Sequence, residues 1–241
     1  MNGIEVHKFG PHIFHTDRKD CWDFVNSIAE FIPFNLNVKA FNKQMYSLPF
    51  NMNTFYELWG CTSIGEAKEM YKTNFNDIYK TFIEDYSKKQ WGIYYKEIVD
   101  NVIKRLPVRF TWNNSYYDDL YVGIPKEGYT NFINKLLYNA DVMYNTDFLQ
   151  DKEKYEAMAD IVYYTGPLDA YYDYKYGELQ YRYIKHKHQT FNKSNFQGCP
   201  IVNFTSKDVP WTRVIEHKHF MPYKETQSTV VSYEYPGNVG I

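Results

Sequence analysis

The sequence predicts an α+β fold, a helical lobe packed beside an antiparallel β-sheet. Three observations carry this. Apolar residues recur at helical spacing through residues 54–104, and Gly60, Gly65 and Gly92 cut that stretch into short helices. Past Pro107 the character changes to short runs with period-two alternation, the pattern of half-buried strands. Helices followed by strands, rather than alternating with them, favour segregated layers.

Taken in order, residues 7–16 (HKFGPHIFHT) read as a strand end and a loop, because Gly10-Pro11 breaks any helix. From Asp17 to Ile32, Trp22, Val25, Ile28 or Ala29, and Ile32 fall at helical spacing, and Pro33 ends that helix. NVKAF and QMYSL flank Asn42-Lys43 and predict a hairpin. TFYELWG, SIGEAKEMYK and FNDIYKTFIEDYSKKQWG predict short packed helices, with Ser63 and Glu66 as a capping box. LYVGIP, DIVYYTG, LQYRYIKHKHQTF, CPIVNFT, RVIEHKHF and TVVSYEY predict strands, interrupted by one helix near 128–139. The chain therefore divides into 1–53 (strand and hairpin), 54–106 (helical lobe) and 107–241 (mainly antiparallel sheet). It has no internal repeat and no low-complexity linker.

The charge balance is 27 Lys+Arg against 29 Asp+Glu, so no broad positive field would attract nucleic acid, although a local anion site is allowed. Cys21, Cys61 and Cys199 are far apart and form no CxxC pair, which argues against structural zinc and predicts a reducing, cytoplasmic setting. No apolar run reaches membrane-spanning length, and MNGIEVHKFG has no hydrophobic signal core. Aromatic residues make up 20% of the chain. Tyrosine's flat face and hydroxyl suit planar bases and sugars, but composition alone favours an AT-rich genome or a tyrosine-padded core.

Four groups of residues carry chemistry. His12 and His15 are three apart after Gly-Pro. No Cys, Asp or Glu completes a ligand set, so they are read as backbone-fixing or cofactor-lining rather than metal-binding. His186/His188 and His217/His219 are two apart on predicted strands and read as same-face surface residues. Phe82 and Tyr86 share a helix face, closed by Gln90 and Trp91. That is a core stripe in the plain reading. In the sharper one it is an aromatic helix end that sandwiches a planar base. Arg109 in RLPVRF and Arg213 in DVPWTRVIEHKHF each follow a proline. Singly, each is a surface ion-pair partner. Together their planar forks would neutralise a diphosphate.

The stretches FGPHIFHT, SLPFNMNT, YSKKQWG, KRLPVRF, GIPKEGYT, YYTGPLDAYYDYKYGEL and DVPWTRVIEHKHF occur in the order and approximate spacing of the UDP-galactopyranose mutase family, which the chain resembles over nearly its whole length. The resemblance implies that residues 1–53 include remnants of a flavin-binding domain. It implies an isomerase that interconverts UDP-galactopyranose and UDP-galactofuranose, serving cell-surface glycan synthesis. Reduced FAD would act through flavin N5 as nucleophile on the anomeric carbon, with UDP as leaving group. By motif, Phe82, Tyr86, Ser87, Gln90 and Trp91 should line the uridine site. Arg109 should sit on a mobile loop over the diphosphate, with Arg213 as second clamp and Tyr121 as a further diphosphate contact. His12, His15 and Asn51 should lie near flavin and sugar, with His12, Arg109 and Arg213 closest to the chemistry.

Two positions depart from the family pattern. Asn53 stands where His is common, which puts a proton-carrying role there in doubt, and Ser87 replaces Thr but keeps the hydroxyl. No GxGxxG follows a strand, and the family's terminal GR-containing segment is also missing. The chain thus reads as a central fragment, expected to be inactive alone and not to retain FAD. Its expected partners are UDP-galactose and UDP-galactofuranose, with no nucleic acid and no membrane; a homodimer is compatible with the sequence. Two rival readings are a non-catalytic nucleotide-sugar-binding module and a flavin amine-oxidase-like protein with another substrate.

Overall fold

The computed structural model describes residues 3–92, 95–104 and 106–237. Its framework is a six-stranded sheet in the order β4-β3-β7-β8-β9-β6. The strands are β3 (Val38–Asn42), β4 (Gln44–Leu48), β6 (Tyr183–Phe191), β7 (Ile201–Phe204), β8 (Arg213–Glu216) and β9 (Thr229–Gly237). Every pairing is antiparallel except β3 with β7, which run parallel with Val38 opposite Ile201. The hairpin β3–β4 turns at Lys43, which takes the left-handed φ of 63° that a tight reversal requires. A boundary at residue 53 therefore misplaces this hairpin: parallel pairing with β7 makes it part of the sheet that the sequence assigned to 107–241.

A smaller sheet, β1-β5-β2, joins Phe14–Thr16, Tyr121–Pro125 and Phe31–Pro33. Its central strand carries Gly123, where a Cβ would lie 2.7 Å from the Trp22 ring and 2.8 Å from the Ile32 carbonyl, so only glycine fits. Helix α1 (Lys19–Ile28) is shorter than predicted, and Ile32 lies in β2 instead. The reason is local: Asn26 Oδ1 accepts the Phe31 N–H at 3.0 Å, and Ala29 turns extended.

The helical lobe runs from α2 (Met52–Trp59) through α3 (Ile64–Thr73), α4 (Phe75–Ile78), a π-helical turn (Tyr79–Ile83) and α5 (Glu84–Trp91) to α6 (Tyr95–Lys104). Both α2 and α3 begin with reciprocal capping boxes, Asn51/Thr54 and Ser63/Glu66. The lobe's core packs Phe50, Phe55, Ile78, Phe82 and Ile83 against Ala40 and Tyr46 of the hairpin. Docking is also polar. The π turn leaves the Thr81 carbonyl for the sheet, where Asn42 Nδ2 and Thr205 Oγ1 each donate to it at 2.7 Å. Lys89 Nζ donates to the carbonyls of Phe204 (2.6 Å), Trp211 (2.9 Å) and Val209 (3.4 Å), and burial brings its pKa down to about 8.

The helix near 128–139 is α7 (Gly128–Leu136). DIVYYTG forms no strand. The short helices α8 (Lys152–Glu156) and α9 (Leu168–Tyr171) flank it, and Asp169 organises the loop beyond by accepting from the N–H groups of Ala170 and Leu179 and the hydroxyl of Tyr181. Many tyrosines of this region are exposed, Tyr138, Tyr163 and Tyr176 by more than 80%, so they do not pad a core. RVIEHKHF is a strand only to Glu216, after which His217–Phe220 form a 3-10 turn. His217 is fully buried and His186, His188 and His219 are half-buried, which corrects their reading as surface residues. No helix among the described residues is long and apolar enough to cross a membrane.

Candidate functional site

Between the π turn and α5 on one side and the sheet on the other lies a cavity of about 210 Å³. Phe82, Ile83, Tyr86 and Ser87 form one wall, Leu48, Pro49 and Phe50 another, Val102, Leu106 and Pro107 a third, and Asn203, Thr205 and Tyr116 complete the lining. Phe82 is fixed edge-on by Tyr46 and Phe50, at ring separations of 5.0 and 5.1 Å. Tyr86 has its phenol pushed up to about 12, chiefly by burial. The charges of Glu234 and Arg213 reach it with opposite effects, which puts the helix end within range of that ion pair.

Two groups here were not singled out by sequence. Asn203 on β7 has its Oδ1 buried without a hydrogen-bond partner, an acceptor left over for a ligand. Tyr116 lines the mouth from the loop after Arg109. The only sequence signal for Asn203 was a polar residue inside the apolar run CPIVNFT.

Arg213 opens β8 and grips Glu234 of β9 with two bonds, Nε–Oε2 at 2.5 Å and the second at 3.1 Å to Oε1. Glu234 is 1% exposed, whereas the Arg213 side chain keeps 33% of its surface. Burial opposes the guanidinium charge, and the Glu234 carboxylate more than offsets it, raising the pKa. The clamp is thus rigidly aimed with one face free.

Arg109 is held differently. Its guanidinium donates to the carbonyls of Ser115 (2.7 Å) and Tyr116 (3.2 Å) and pairs with Asp118 at 2.7 Å. The loop is sewn to α2 through asparagines. Asn51, fully buried, caps α2 with Oδ1 and donates Nδ2 to Asn113 O and Asn114 Oδ1. Asn53 donates to Trp112 O and Asn114 Oδ1. Asn51, read as a ligand contact, is therefore saturated by the protein itself.

The remaining predicted residues do not line this cavity. Gln90 and Trp91 lie at the end of α5, where the Gln90 carbonyl accepts from Arg182. Tyr121 stacks on Trp22 at 5.7 Å in the small sheet. His15 stacks on Tyr117 at 4.0 Å and meets Asp119 at 3.1 Å. His12 belongs to a second cavity, about 600 Å³, with Phe9, Gly10 and Tyr129. Gly10 sits there with a left-handed φ of 99°, and a Cβ on it would lie 3.8 Å from Glu234 Oε1.

The fold and cavities define an α+β protein whose helical lobe closes an aromatic pocket against the sheet, with an arginine–glutamate pair nearby. The chain belongs to the UDP-galactopyranose mutase (GLF) family, whose profile matches residues 81–240. It is 36% identical to a dTDP-fucopyranose mutase of Escherichia coli, covering 97% of this chain and 69% of that protein. It is also 36% identical to a probable UDP-galactopyranose mutase of Klebsiella pneumoniae, covering 96% of this chain and 65% of the relative. A crystal structure of reduced UDP-galactopyranose mutase shares the fold, with TM-score 0.58 and 10% identity over 95% of this chain and 63% of that one. The chain thus spans about two thirds of the proteins it matches.

Proposed function

We propose that this chain is the substrate-binding portion of a flavin-dependent mutase acting on a nucleoside-diphosphate sugar, UDP-galactopyranose and UDP-galactofuranose being the favoured pair. The observation that carries the reading is the unpaired Asn203 Oδ1 opposite Phe82 and Tyr86. A pyrimidine ring slides between aromatic faces and presents an imide N–H, the donor this acceptor lacks. Ser87 offers a hydroxyl beside it.

Beyond the base, Arg213 would meet the diphosphate with its free face. Arg109 would join it by exchanging Asp118 and the loop carbonyls for phosphate oxygens. Two guanidinium groups would then stabilise the charge that grows on a departing UDP. The second cavity fits the ring end of a flavin: it has room, Gly10 allows close approach, and Phe9 offers an exposed aromatic face. Reduced FAD, when bound, supplies the nucleophile for the anomeric carbon. His12 and Gly10 would hold its ring near Glu234, and hence near the Arg213 clamp.

Calorimetric titration of UDP, dTDP and ADP into the chain and into Asn203→Ala tests this. The reading requires both pyrimidine nucleotides to bind better than ADP and the substitution to weaken them. Equal binding of ADP would sink it. UDP and dTDP are both included because the family relatives at 36% identity carry either name.

A further inference from the structure

Two imidazoles outside the nucleotide cavity meet around one serine, and a third is tied to them. Ser232 of β9 is fully buried, and its Oγ lies 2.6 Å from His217 Nε2 and 2.6 Å from His188 Nδ1. His188 stands directly opposite Ser232 across the β6–β9 ladder. On its other side His217 Nδ1 accepts the backbone N–H of His7 at 3.3 Å, and His7 Nδ1 accepts the backbone N–H of His12 at 3.0 Å. Among the described residues no three potential ligands are grouped to hold a metal.

Backbone N–H groups can only donate, so they fix the direction of the whole chain. His217 Nδ1 carries no proton, and its proton sits on Nε2 and points at Ser232. Ser232 accepts that bond and spends its single hydrogen on His188 Nδ1. His7 is likewise protonated on Nε2 alone. The result is a one-way relay of neutral rings that ends on the segment carrying Gly10 and His12.

We propose that Ser232 and His217 are positioning residues, a latch that holds residues 7–12 against the sheet while the rings are neutral and releases them when His217 or His7 takes up a proton. A second proton on either ring would set N–H against N–H at the bonds to residues 7 and 12. The surroundings supply little to stabilise such a charge. His7, Lys8 and His12 face it from the N-terminal segment and His186 and His188 from β6. The one nearby carboxylate on β9, Glu234, is already engaged by Arg213 and by His186 at 3.3 Å. Burial, with the neighbouring histidines adding to it, brings His217 down to about 3 and His7 to about 4, in keeping with the geometry. The latch does not depend on the nucleotide reading.

Long-range ¹H–¹⁵N spectra of the chain's histidines at neutral pH give the direct test. His7, His188 and His217 should all appear as neutral Nε2–H tautomers, and a proton on His217 Nδ1 overturns the proposal. Amide hydrogen exchange supplies the second reading. After correction for intrinsic rates, Ser232→Ala should speed exchange at His7 and His12 about tenfold, one hydrogen bond's worth, and Ser232→Thr, which restores the hydroxyl, should return it. The same acceleration should appear in the wild-type chain on acidification. Unchanged exchange at His7 and His12 in Ser232→Ala refutes the latch. Should that variant fail to fold, the tautomers of the wild-type chain decide.

Discussion

Replacing Arg213 by alanine should separate what this side chain does for the fold from what it does for a ligand. Its loss strands Glu234, which is 1% exposed and retains only the 3.3 Å contact to His186. Removing one partner of a buried pair costs about 3–5 kcal/mol. The lower end applies, because the Arg213 side chain keeps a third of its surface in water and its pairing is worth less than that of a fully buried ion. The expectation is a loss of about 3 kcal/mol in urea unfolding followed by circular dichroism. UDP affinity should fall at least tenfold, since a charge-assisted bond to phosphate contributes about 1.5–3 kcal/mol. The double variant Arg213→Ala/Glu234→Ala then discriminates. Without the orphan carboxylate most of the stability should return, while the UDP affinity should not. A single variant losing under about 1 kcal/mol would refute the account of the ion pair. A double variant that binds UDP normally would remove Arg213 from the site.

Other outcomes follow from the same structure. Asp118→Asn frees Arg109 from an ion-pair partner that is 66% exposed, so by the value of a surface pair, up to about 1 kcal/mol, UDP should bind up to about fivefold tighter; weaker binding would show that the pair orients Arg109 rather than competing for it. Gly123→Ala should cost about 1–3 kcal/mol in thermal unfolding, because its Cβ meets the Trp22 ring and the Ile32 carbonyl inside normal contact distance, and an unchanged midpoint would contradict the close approach. Stability should fall on acidification. His217 and His7 bind protons in the unfolded chain below about 6.5 but in the folded chain only near 3 and 4, so the folded state is favoured above 6.5 and loses that advantage as pH drops toward those values. At pH 5 His217 alone accounts for about 2 kcal/mol. His217→Phe should flatten the profile, and a urea midpoint identical at pH 7 and pH 5 in the wild-type chain would oppose this reading.

The elements legible in the sequence were those whose signals are local. Ser63 and Glu66 announce the start of α3 without help from the rest of the chain, and Asn42-Lys43 between two alternating runs marks the hairpin. What the sequence hid depends on distant partners. Ile32 kept helical spacing, yet Asn26 closes the helix and Ile32 joins a strand beside Ile124. His217 looked like an exposed strand residue because alternation carries no information about a segment that folds over it, here residues 7–12. Phe82, Tyr86 and Ser87, named together from sequence, do line one cavity because adjacent turns of one helical segment carry them. Asn203 comes to that cavity only through sheet pairing. Gln90 and Trp91 continued the same motif in sequence but sit in the last turn of α5, outside the cavity lining. Tyr121 and Asn51 belonged to recognisable motifs, and their local geometry gives them a stacking and a capping contact that the motifs did not announce.

The parallel pairing of β3 with β7 has a consequence for how the molecule assembles. Residues 38–41 wait for residues 201–204, so the entropy of closing a long stretch of chain falls on this junction. The helical lobe and its hairpin can consolidate early through neighbouring contacts. The cavity cannot, because Phe82 and Tyr86 belong to that early unit while Asn203 and Thr205 arrive with β7. A bound pyrimidine nucleotide would therefore bridge the seam of slowest closure. Its effect should show in the unfolding rate, as a brace across the last joint to form and the first to part.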